Sequence, residues 1–209
     1  MSIIENIGNA VYKGNAKEVV TLVNEALEEG ITAGEILEDG LLKGMGELGV
    51  KFKNNEVFVP EVLVAARALN KGTEILKVKL IEEGVEPIGR GVICTVKGDL
   101  HDIGKNLVKM MLEGSGFEII DLGVDAHEDK IVESVKELKP QILLMSALLT
   151  TTMNECGVVI QALKDAGIRD DVKVMVGGAP LTQTFADSIG ADGYTPDAAS
   201  AAEMAVTFV

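Results

Sequence analysis

The sequence predicts an all-α four-helix bundle over residues 1–88, followed by an α/β domain over residues 89–209 that is built on a five-stranded parallel sheet. Residues 1–82 carry apolar side chains at helical spacing only, whereas apolar runs of strand length alternate with helical segments after residue 90. The change falls in EGVEPIGR, residues 83–90, where glycine, proline and charge break the pattern. We therefore expect two domains joined by this segment.

The starts of three helices are predicted by a capping residue that stands three positions before a glutamate. These pairs are Ser2 and Glu5, Asn15 and Glu18, and Thr32 and Glu35. The fourth helix is expected to open at Pro60, because proline is well tolerated in a first turn. Short connections between the four helices indicate an antiparallel bundle.

The third helix and its end are unusually rich in glycine, with glycines at positions 34, 40, 44, 46 and 49. Each interior glycine costs a helix roughly 0.5–1 kcal/mol relative to alanine. Two interpretations remain open at this point. The helical half is simply a stabilising bundle, or its glycines allow another backbone or a ligand to approach closely.

The second half reads as five strands, each followed by a helix, which predicts a doubly wound and mostly parallel sheet. The strands are GVICTV (91–96), FEIIDLG (117–123), ILLMSAL (142–148), VKVMVGG (172–178) and DGYTP (192–196). The helices lie near 104–115, 128–138, 151–166, 181–188 and 196–207. Ligands of such sheets bind at the carboxyl ends of the strands.

Composition excludes several classes of function. The formal net charge of −14 argues against nucleic acid and anionic membrane surfaces as partners, and an aromatic content of 3% disfavours base stacking. The N-terminus has no signal-peptide pattern and no window is apolar enough to span a membrane, so a cytoplasmic location is expected. Cys94 and Cys156 lack metal-ligand spacing and are expected to be buried free thiols.

The stretch VKGDLHDIGKNL, residues 96–107, contains His101, one of only two histidines in the chain. A capping or surface histidine and simple turn glycines are the ordinary interpretations, and neither phosphate-loop pattern fits. A three-histidine zinc site is impossible with His127 as the only other histidine, although mixed carboxylate ligation remains open. A single imidazole suits a metal whose other positions are already filled, and Asp99 is placed to fix its tautomer.

Three motifs at strand ends carry a resemblance to a known family. Asp99-x-His101-x-x-Gly104, Ser146-Ala147-Leu148 and Gly177-Gly178 stand in the order found in cobalamin-dependent methyltransferases and their corrinoid proteins, and the sequence resembles that family over nearly its whole length. The resemblance implies a flavodoxin-like (Rossmann-like) sheet domain with a helical-bundle cap.

The same resemblance implies that His101 is the axial cobalt ligand, that Asp99 hydrogen-bonds it, and that Thr152, which stands where methionine synthase has a serine, completes a catalytic relay. The implied cofactor-binding residues are Gly98, Asp99, His101, Asp102, Ile103, Gly104, Ser146, Leu148, Thr150, Gly177 and Gly178. The cofactor would be cobalamin or a related corrinoid, cycling between methylcob(III)alamin and cob(I)alamin.

The helical half resembles the cap that covers the upper face of the corrin in this family. GMGELGVKFKNNEVFVPEVLVAARAL carries the match, and Phe52, Val59 and Val62 fall on the positions that shield the cobalt-bound methyl group. Methionine synthase has leucine at the position of Val59, so we expect a smaller contact here.

The resemblance implies a non-catalytic corrinoid component of a methyltransferase system in one-carbon metabolism. A substrate:corrinoid methyltransferase would load a methyl group from a methylamine, quaternary amine, methanol or methoxy compound. A second methyltransferase would pass it to tetrahydrofolate or coenzyme M, and a reductive activase would restore the cofactor. A cobalamin-dependent sensor is the main alternative, while a mutase subunit or a flavodoxin-like response domain without cofactor fits less of the sequence.

Overall fold

The computed structural model describes residues 1–209 and falls into two compact units. The helical unit comprises Met1–Pro87 with Gly114–Gly116, and the α/β unit comprises Ile88–Glu113 with Phe117–Val209. The predicted fold class is confirmed, because helices form the first unit and an all-parallel sheet of five strands forms the centre of the second. No helix of the chain is both long and apolar enough to cross a lipid bilayer.

The helical unit begins each of its first three helices as the capping pattern predicts. Its elements are α1 (Ile3–Tyr12), α2 (Ala16–Glu28), α3 (Ala33–Glu35), a π-helical segment (Ile36–Leu42), α4 (Lys43–Lys53) and α5 (Val59–Glu83). The side-chain oxygens of Ser2, Asn15 and Thr32 each accept a hydrogen bond from the backbone N–H three residues later. Helix α5 begins one residue before Pro60 and ends at Glu83, followed by Gly84 with a φ of 70°.

Glycines let helices α1 and α4 approach each other closely. A Cβ on Gly44 would overlap the carbonyl group of Gly8, so a side chain cannot be added there without moving a backbone. Gly46, two residues further on, has no atom within 4 Å of the position that its Cβ would take. Close approach by another backbone therefore explains Gly44 and leaves Gly46 without a packing role.

The α/β unit follows the predicted alternation. Its strands are β1 (Gly89–Thr95), β2 (Phe117–Asp121), β3 (Ile142–Ser146), β4 (Lys173–Gly177) and β5 (Gly193–Tyr194). Its α-helices are α6 (Ile103–Glu113), α7 (Glu128–Leu138), α8 (Glu155–Asp165), α9 (Gln183–Ile189) and α10 (Ala198–Val206), and a short 3-10 turn spans Arg169–Asp171. All strands are parallel, in the order β2-β1-β3-β4-β5.

This strand order places a switch point between β1 and β3. From β1 the chain crosses to β2 on one side, and from β3 it crosses to β4 on the other side. The connecting loops therefore diverge above the pair, and a crevice opens at the carboxyl ends of the two strands. The last residues of these strands, Thr95 and Ser146, are directly paired, so both loops start at the same level.

The clearest departure from the sequence prediction is the start of α8. The helix was expected from residue 151, but it begins at Glu155 and residues 150–154 form turns. The side chain of Thr152 is buried, and its hydroxyl donates a hydrogen bond to Oδ2 of Asp99 at 2.8 Å. A side-chain contact to a residue 53 positions away holds these residues outside the helix, and helical periodicity cannot reveal such a contact.

Candidate functional site

The loop that follows β1 is held by hydrogen bonds at both of its ends. The backbone N–H of Val96 donates to the carbonyl oxygen of Ser146 at 3.0 Å, which attaches the loop to the end of β3. The buried hydroxyl of Thr95 donates to the carbonyl oxygen of His101 at 2.9 Å. Gly98 makes the turn with a φ of +78°, a conformation that glycine adopts without strain. The loop therefore has a defined course up to His101.

Asp99 lies at the centre of this loop and is completely buried. Its Oδ1 accepts from the backbone N–H of His101 at 3.1 Å and contacts the ring Nδ1 of His101 at 2.7 Å. Its Oδ2 accepts from the backbone N–H of Leu148 at 2.7 Å and from the hydroxyl of Thr152 at 2.8 Å. Burial raises the pKa of the Asp99 carboxyl, but these donors outweigh burial and hold the pKa well below its usual range. Asp99 is therefore an ionised carboxylate.

An ionised Asp99 determines the tautomer of His101. A carboxylate only accepts hydrogen bonds, so the Nδ1 of His101 must carry the proton of the 2.7 Å contact. The lone pair then resides on Nε2. The side chain of His101 is 51% exposed, so Nε2 can reach a ligand outside the protein. The pair is thus prepared as a single metal ligand.

Exposed apolar side chains surround the imidazole. Leu100 and Ile103, on either side of His101 in sequence, are 71% and 76% exposed. Leu148 and Leu149 follow β3 and are each 41% exposed, and the hydrogen bond from Leu148 to Asp99 places them beside the same loop. Such a surface suits a large apolar macrocycle rather than a hydrated ion, because covering it removes apolar area from water.

The two glycines after β4 differ in what they permit. Gly178 has a φ of +134°, and a Cβ there would collide with the carbonyl oxygen of Ala147. A Cβ on Gly177 would meet only the carbonyl oxygen of Thr195, at 3.8 Å. The close backbone approach that the motif predicts is therefore made at Gly178, between the loops after β3 and β4.

The remaining predicted residues have less specific surroundings. Asp102 is exposed and accepts from the Nδ2 of Asn106 at 3.1 Å, and Gly104 has open space where its Cβ would be. Ser146 ends β3, and Thr150 is exposed in the loop beyond it. Their contact with a cofactor stays a prediction.

The shielding residues belong to the helical unit. Phe52 in α4 and Val59 at the start of α5 are partly exposed, whereas Val62 has no exposed surface. Their assignment to the upper face of the cofactor stays a prediction.

Two residues that the sequence analysis did not select also contact the His101 loop. Thr95 bonds the carbonyl of His101, and Asp125, in the loop after β2, accepts from the N–H of Gly98 at 2.7 Å. Asp125 had a usable signal, because it is an acidic residue just beyond the carboxyl end of a predicted strand that neighbours β1. Thr95 had none, since a threonine inside a strand is ordinary.

Comparison with known families covers both units. Two family models match, each described as a B12 binding domain, over residues 3–77 and 89–203. The second match alone spans more than half of the chain. The chain therefore belongs to the B12-binding proteins, and its cofactor is a corrinoid.

Curated relatives give this class a narrower description. A trimethylamine corrinoid protein from Methanosarcina barkeri is 45% identical over 190 residues, covering 86% of this chain and 88% of that protein. A dimethylamine corrinoid protein from the same organism is 42% identical over 205 residues, covering 97% and 95%. Within the B12-binding class, the chain is a member of the corrinoid proteins.

A solved structure agrees with the sequence comparison. The methanol:cobalamin methyltransferase complex MtaBC from Methanosarcina barkeri contains a chain that matches with a TM-score of 0.89 and 31% identity. The match covers 98% of this chain and 78% of that chain. The resemblance read from the three strand-end motifs is thus confirmed.

The residues at the site fit a corrinoid on three grounds. One imidazole nitrogen is available, and a corrinoid brings the other donors to its metal. The surface beside the imidazole is apolar, and Gly178 brings two loop backbones together where a side chain would not fit. All three observations concern the α/β unit, which carries His101.

Proposed function

We propose that this chain carries a methyl group on its corrinoid, receiving it from a methylated amine through a substrate:corrinoid methyltransferase. The buried Asp99 carboxylate bound to Nδ1 of a half-exposed His101 is the observation that carries the proposal, because it prepares one ligand nitrogen and no other. The descriptions of the relatives, trimethylamine and dimethylamine corrinoid proteins, support the amine as the donor class. They give no support to a sensor.

In this proposal the corrinoid supplies the metal centre that accepts and releases the methyl group. The chain supplies the rest. Nε2 of His101 would bind the metal, and Asp99 holds the ring in the tautomer that leaves Nε2 unprotonated. The exposed side chains of Leu100, Ile103 and Leu148 would pack against the macrocycle and keep water away from His101.

The Asp99–His101 pair holds one proton at a fixed atom, Nδ1 of His101. Thr152 keeps the charge of Asp99 fixed by donating to its second oxygen at 2.8 Å. Thr152 therefore acts through Asp99 and does not contact the cofactor in this scheme.

The proposal includes the remaining partners that the resemblance implies. A second methyltransferase transfers the methyl group to tetrahydrofolate or coenzyme M, and a reductive activase returns the cofactor to its reactive state. We further propose that Phe52, Val59 and Val62 shield the methyl group between the two transfers. The chain itself is a carrier rather than an enzyme.

The proposal is tested by following the visible spectrum of the reduced, cobalamin-loaded protein in cell extract as methyl donors are added. We expect trimethylamine or dimethylamine to convert the spectrum to that of the methylated form. Conversion by methanol or glycine betaine alone would overturn the amine assignment. No conversion with any methyl donor would overturn the carrier function.

Two histidine variants test the ligand within the same assay. His101→Ala is expected to abolish the spectrum of histidine-bound cobalamin while some cobalamin remains bound, because the apolar surface is intact. His127→Ala is the matched control, since His127 is the only other histidine and lies exposed before α7. If His101→Ala retained the wild-type spectrum, the ligand assignment would be wrong.

A further inference from the structure

Asp125 has a backbone conformation that its position in the fold does not explain. Its φ is +51°, in the left-handed region that costs most L-residues about 1 kcal/mol or more. The other two non-glycine residues with positive φ, Asn55 and Lys139, lie just after helices, where left-handed residues are common. Asp125 instead lies in the loop between β2 and α7.

The contacts of Asp125 all go to the loop that carries His101. Its Oδ1 accepts from the N–H of Gly98 at 2.7 Å, and its own N–H donates to the carbonyl oxygen of Asp99 at 3.0 Å. The left-handed turn makes this double contact, because it directs the side chain and the N–H of one residue to two successive residues of the neighbouring loop. The left-handed residue thus lies where it holds Gly98 and Asp99.

This attachment complements the one through β3. On the β3 side, Leu148 and Thr152 fix the carboxylate of Asp99. On the β2 side, the backbone of Gly98–Asp99 is held by Asp125. Gly98 is the most flexible residue of the loop by type, and its N–H has no other partner than the Asp125 carboxylate.

We propose that Asp125 is a positioning residue that sets how firmly His101 is held on the metal. The proposal rests on the proposed function, in which His101 is the metal ligand. With Asp125 in place, the loop is ordered before the ligand bond forms, so little of the bond's free energy is used to order it. Without the acceptor, that ordering opposes binding of the imidazole, and the equilibrium moves toward cofactor that lacks a histidine ligand.

The test compares variants that separate the acceptor from the charge and from the backbone. Asp125→Gly and Asp125→Ala both remove the acceptor, and alanine keeps a Cβ in case glycine loosens the loop. Asp125→Asn keeps an acceptor oxygen and tolerates the left-handed conformation. Lys139→Gly is the matched control, because it introduces glycine at another positive φ, 45°, after α7.

Each protein is loaded with hydroxocobalamin and reduced by one electron, and the nitrogen splitting in its electron spin resonance spectrum gives the fraction of cobalt bound to histidine. We expect Asp125→Gly and Asp125→Ala to raise the ratio of unbound to bound histidine about fivefold, the change that one hydrogen bond of ordinary net strength produces. Asp125→Asn and Lys139→Gly should stay within about twofold of the wild type. A wild-type ratio in both acceptor-free variants overturns the proposal, as does a shift in Asp125→Asn as large as theirs.

A second readout needs no cofactor. Hydrogen exchange of the Gly98 amide in the cofactor-free protein should be about fivefold faster in Asp125→Gly than in the wild type or in Asp125→Asn. Unchanged exchange overturns the proposed contact. His101→Ala in the same spectroscopic series distinguishes the two failures: if it leaves the nitrogen splitting unchanged, the proposed function's ligand assignment fails, and if it removes the splitting while the Asp125 variants do not alter it, only this inference fails.

Discussion

The Asp99 carboxylate is buried without lysine or arginine beside it, so N–H and O–H donors stabilise its charge. Losing one of these donors leaves part of a buried charge unsatisfied, which is costlier than losing a hydrogen bond at the surface. Thr152 is the only side-chain hydroxyl in the set. It is therefore the residue through which the site can be perturbed without touching His101.

Thr152→Val is expected to destabilise the cofactor-free protein by about 1–3 kcal/mol, because valine has nearly the same shape and leaves Asp99 short of one donor. Thr152→Ser keeps the hydroxyl and loses one methyl group, so its cost should be about 1 kcal/mol or less. Urea unfolding at neutral pH measures both. Equal stability of the two variants would show that the hydroxyl contributes nothing to Asp99.

The sequence predicted the contacts of residues that belong to the recognised motifs and missed those of residues outside them. The spacing of Asp99 and His101 predicted their contact, and the hydroxyl at Thr152 was expected in the same relay. Leu148 was selected as part of a motif, yet its contribution to Asp99 is a backbone N–H that any residue except proline would supply. Asp125 was missed although it stands just beyond the end of a predicted strand, because its hydrogen bond to Gly98 depends on how two separate loops meet.

At the level of helices and strands, the sequence predicts features that depend on neighbouring residues and misses features that depend on distant ones. Caps are local, and all three predicted at Ser2, Asn15 and Thr32 are formed. The π-helical segment Ile36–Leu42 was not predicted, because its wider turns still bury apolar residues at nearly helical spacing. The sequence also could not tell which glycines of α4 are packed, since that depends on a helix some 35 residues earlier in the chain.

Two glycines of α4 provide a test of helix packing. Gly44→Ala is expected to destabilise the protein by about 2 kcal/mol, because the added methyl overlaps the backbone of Gly8 in α1. Gly46→Ala should stabilise it by about 0.5–1 kcal/mol, since the new Cβ meets no atom and alanine favours the helix. Thermal unfolding followed by far-UV circular dichroism compares the two. A similar shift in both variants would contradict the close approach of α1 and α4.

At the scale of the whole molecule, the formal net charge of −14 makes acid stability depend on how individual carboxylates are paired. Asp192 accepts from the backbone N–H of Val174 and from Arg169, each at 2.7 Å. Burial raises the pKa of the Asp192 carboxyl, but these two donors outweigh it and the pKa lies below its usual value. Because its pKa is lower in the folded protein, the Asp192 carboxylate stabilises the fold at pH values above the usual pKa of an aspartate. This stabilisation is lost as the pH falls through the lowered pKa of the folded state.

Asp192→Asn should therefore cost about 1 kcal/mol at neutral pH, allowing for partial exposure of the carboxylate. The difference from the wild type should begin to shrink as the pH falls below about 4 and should vanish only below the lowered pKa of the folded state. Asp170→Asn, in the neighbouring turn, changes the net charge equally and serves as the control. Urea unfolding at a series of pH values from neutral to acid gives the free energy of unfolding of both variants. A difference that persists unchanged in acid would mean that Asp192 acts through shape rather than charge.

Cofactor binding should slow the chemical labelling of two cysteines to which no role at the site is assigned. Cys94 and Cys156 are both completely buried, and burial raises the pKa of each thiol to about 12, so neither reacts at neutral pH until the α/β unit opens. A ligand that binds only the native state lowers the open population in proportion to its concentration over Kd. Methylcobalamin at about 100 times its Kd should therefore slow labelling by a thiol reagent about 100-fold in the dark. As a control, the cofactor should not change the labelling rate of the urea-unfolded protein. Equal labelling rates for the native protein with and without cofactor would show that corrinoid binding is not coupled to the stability of the α/β unit.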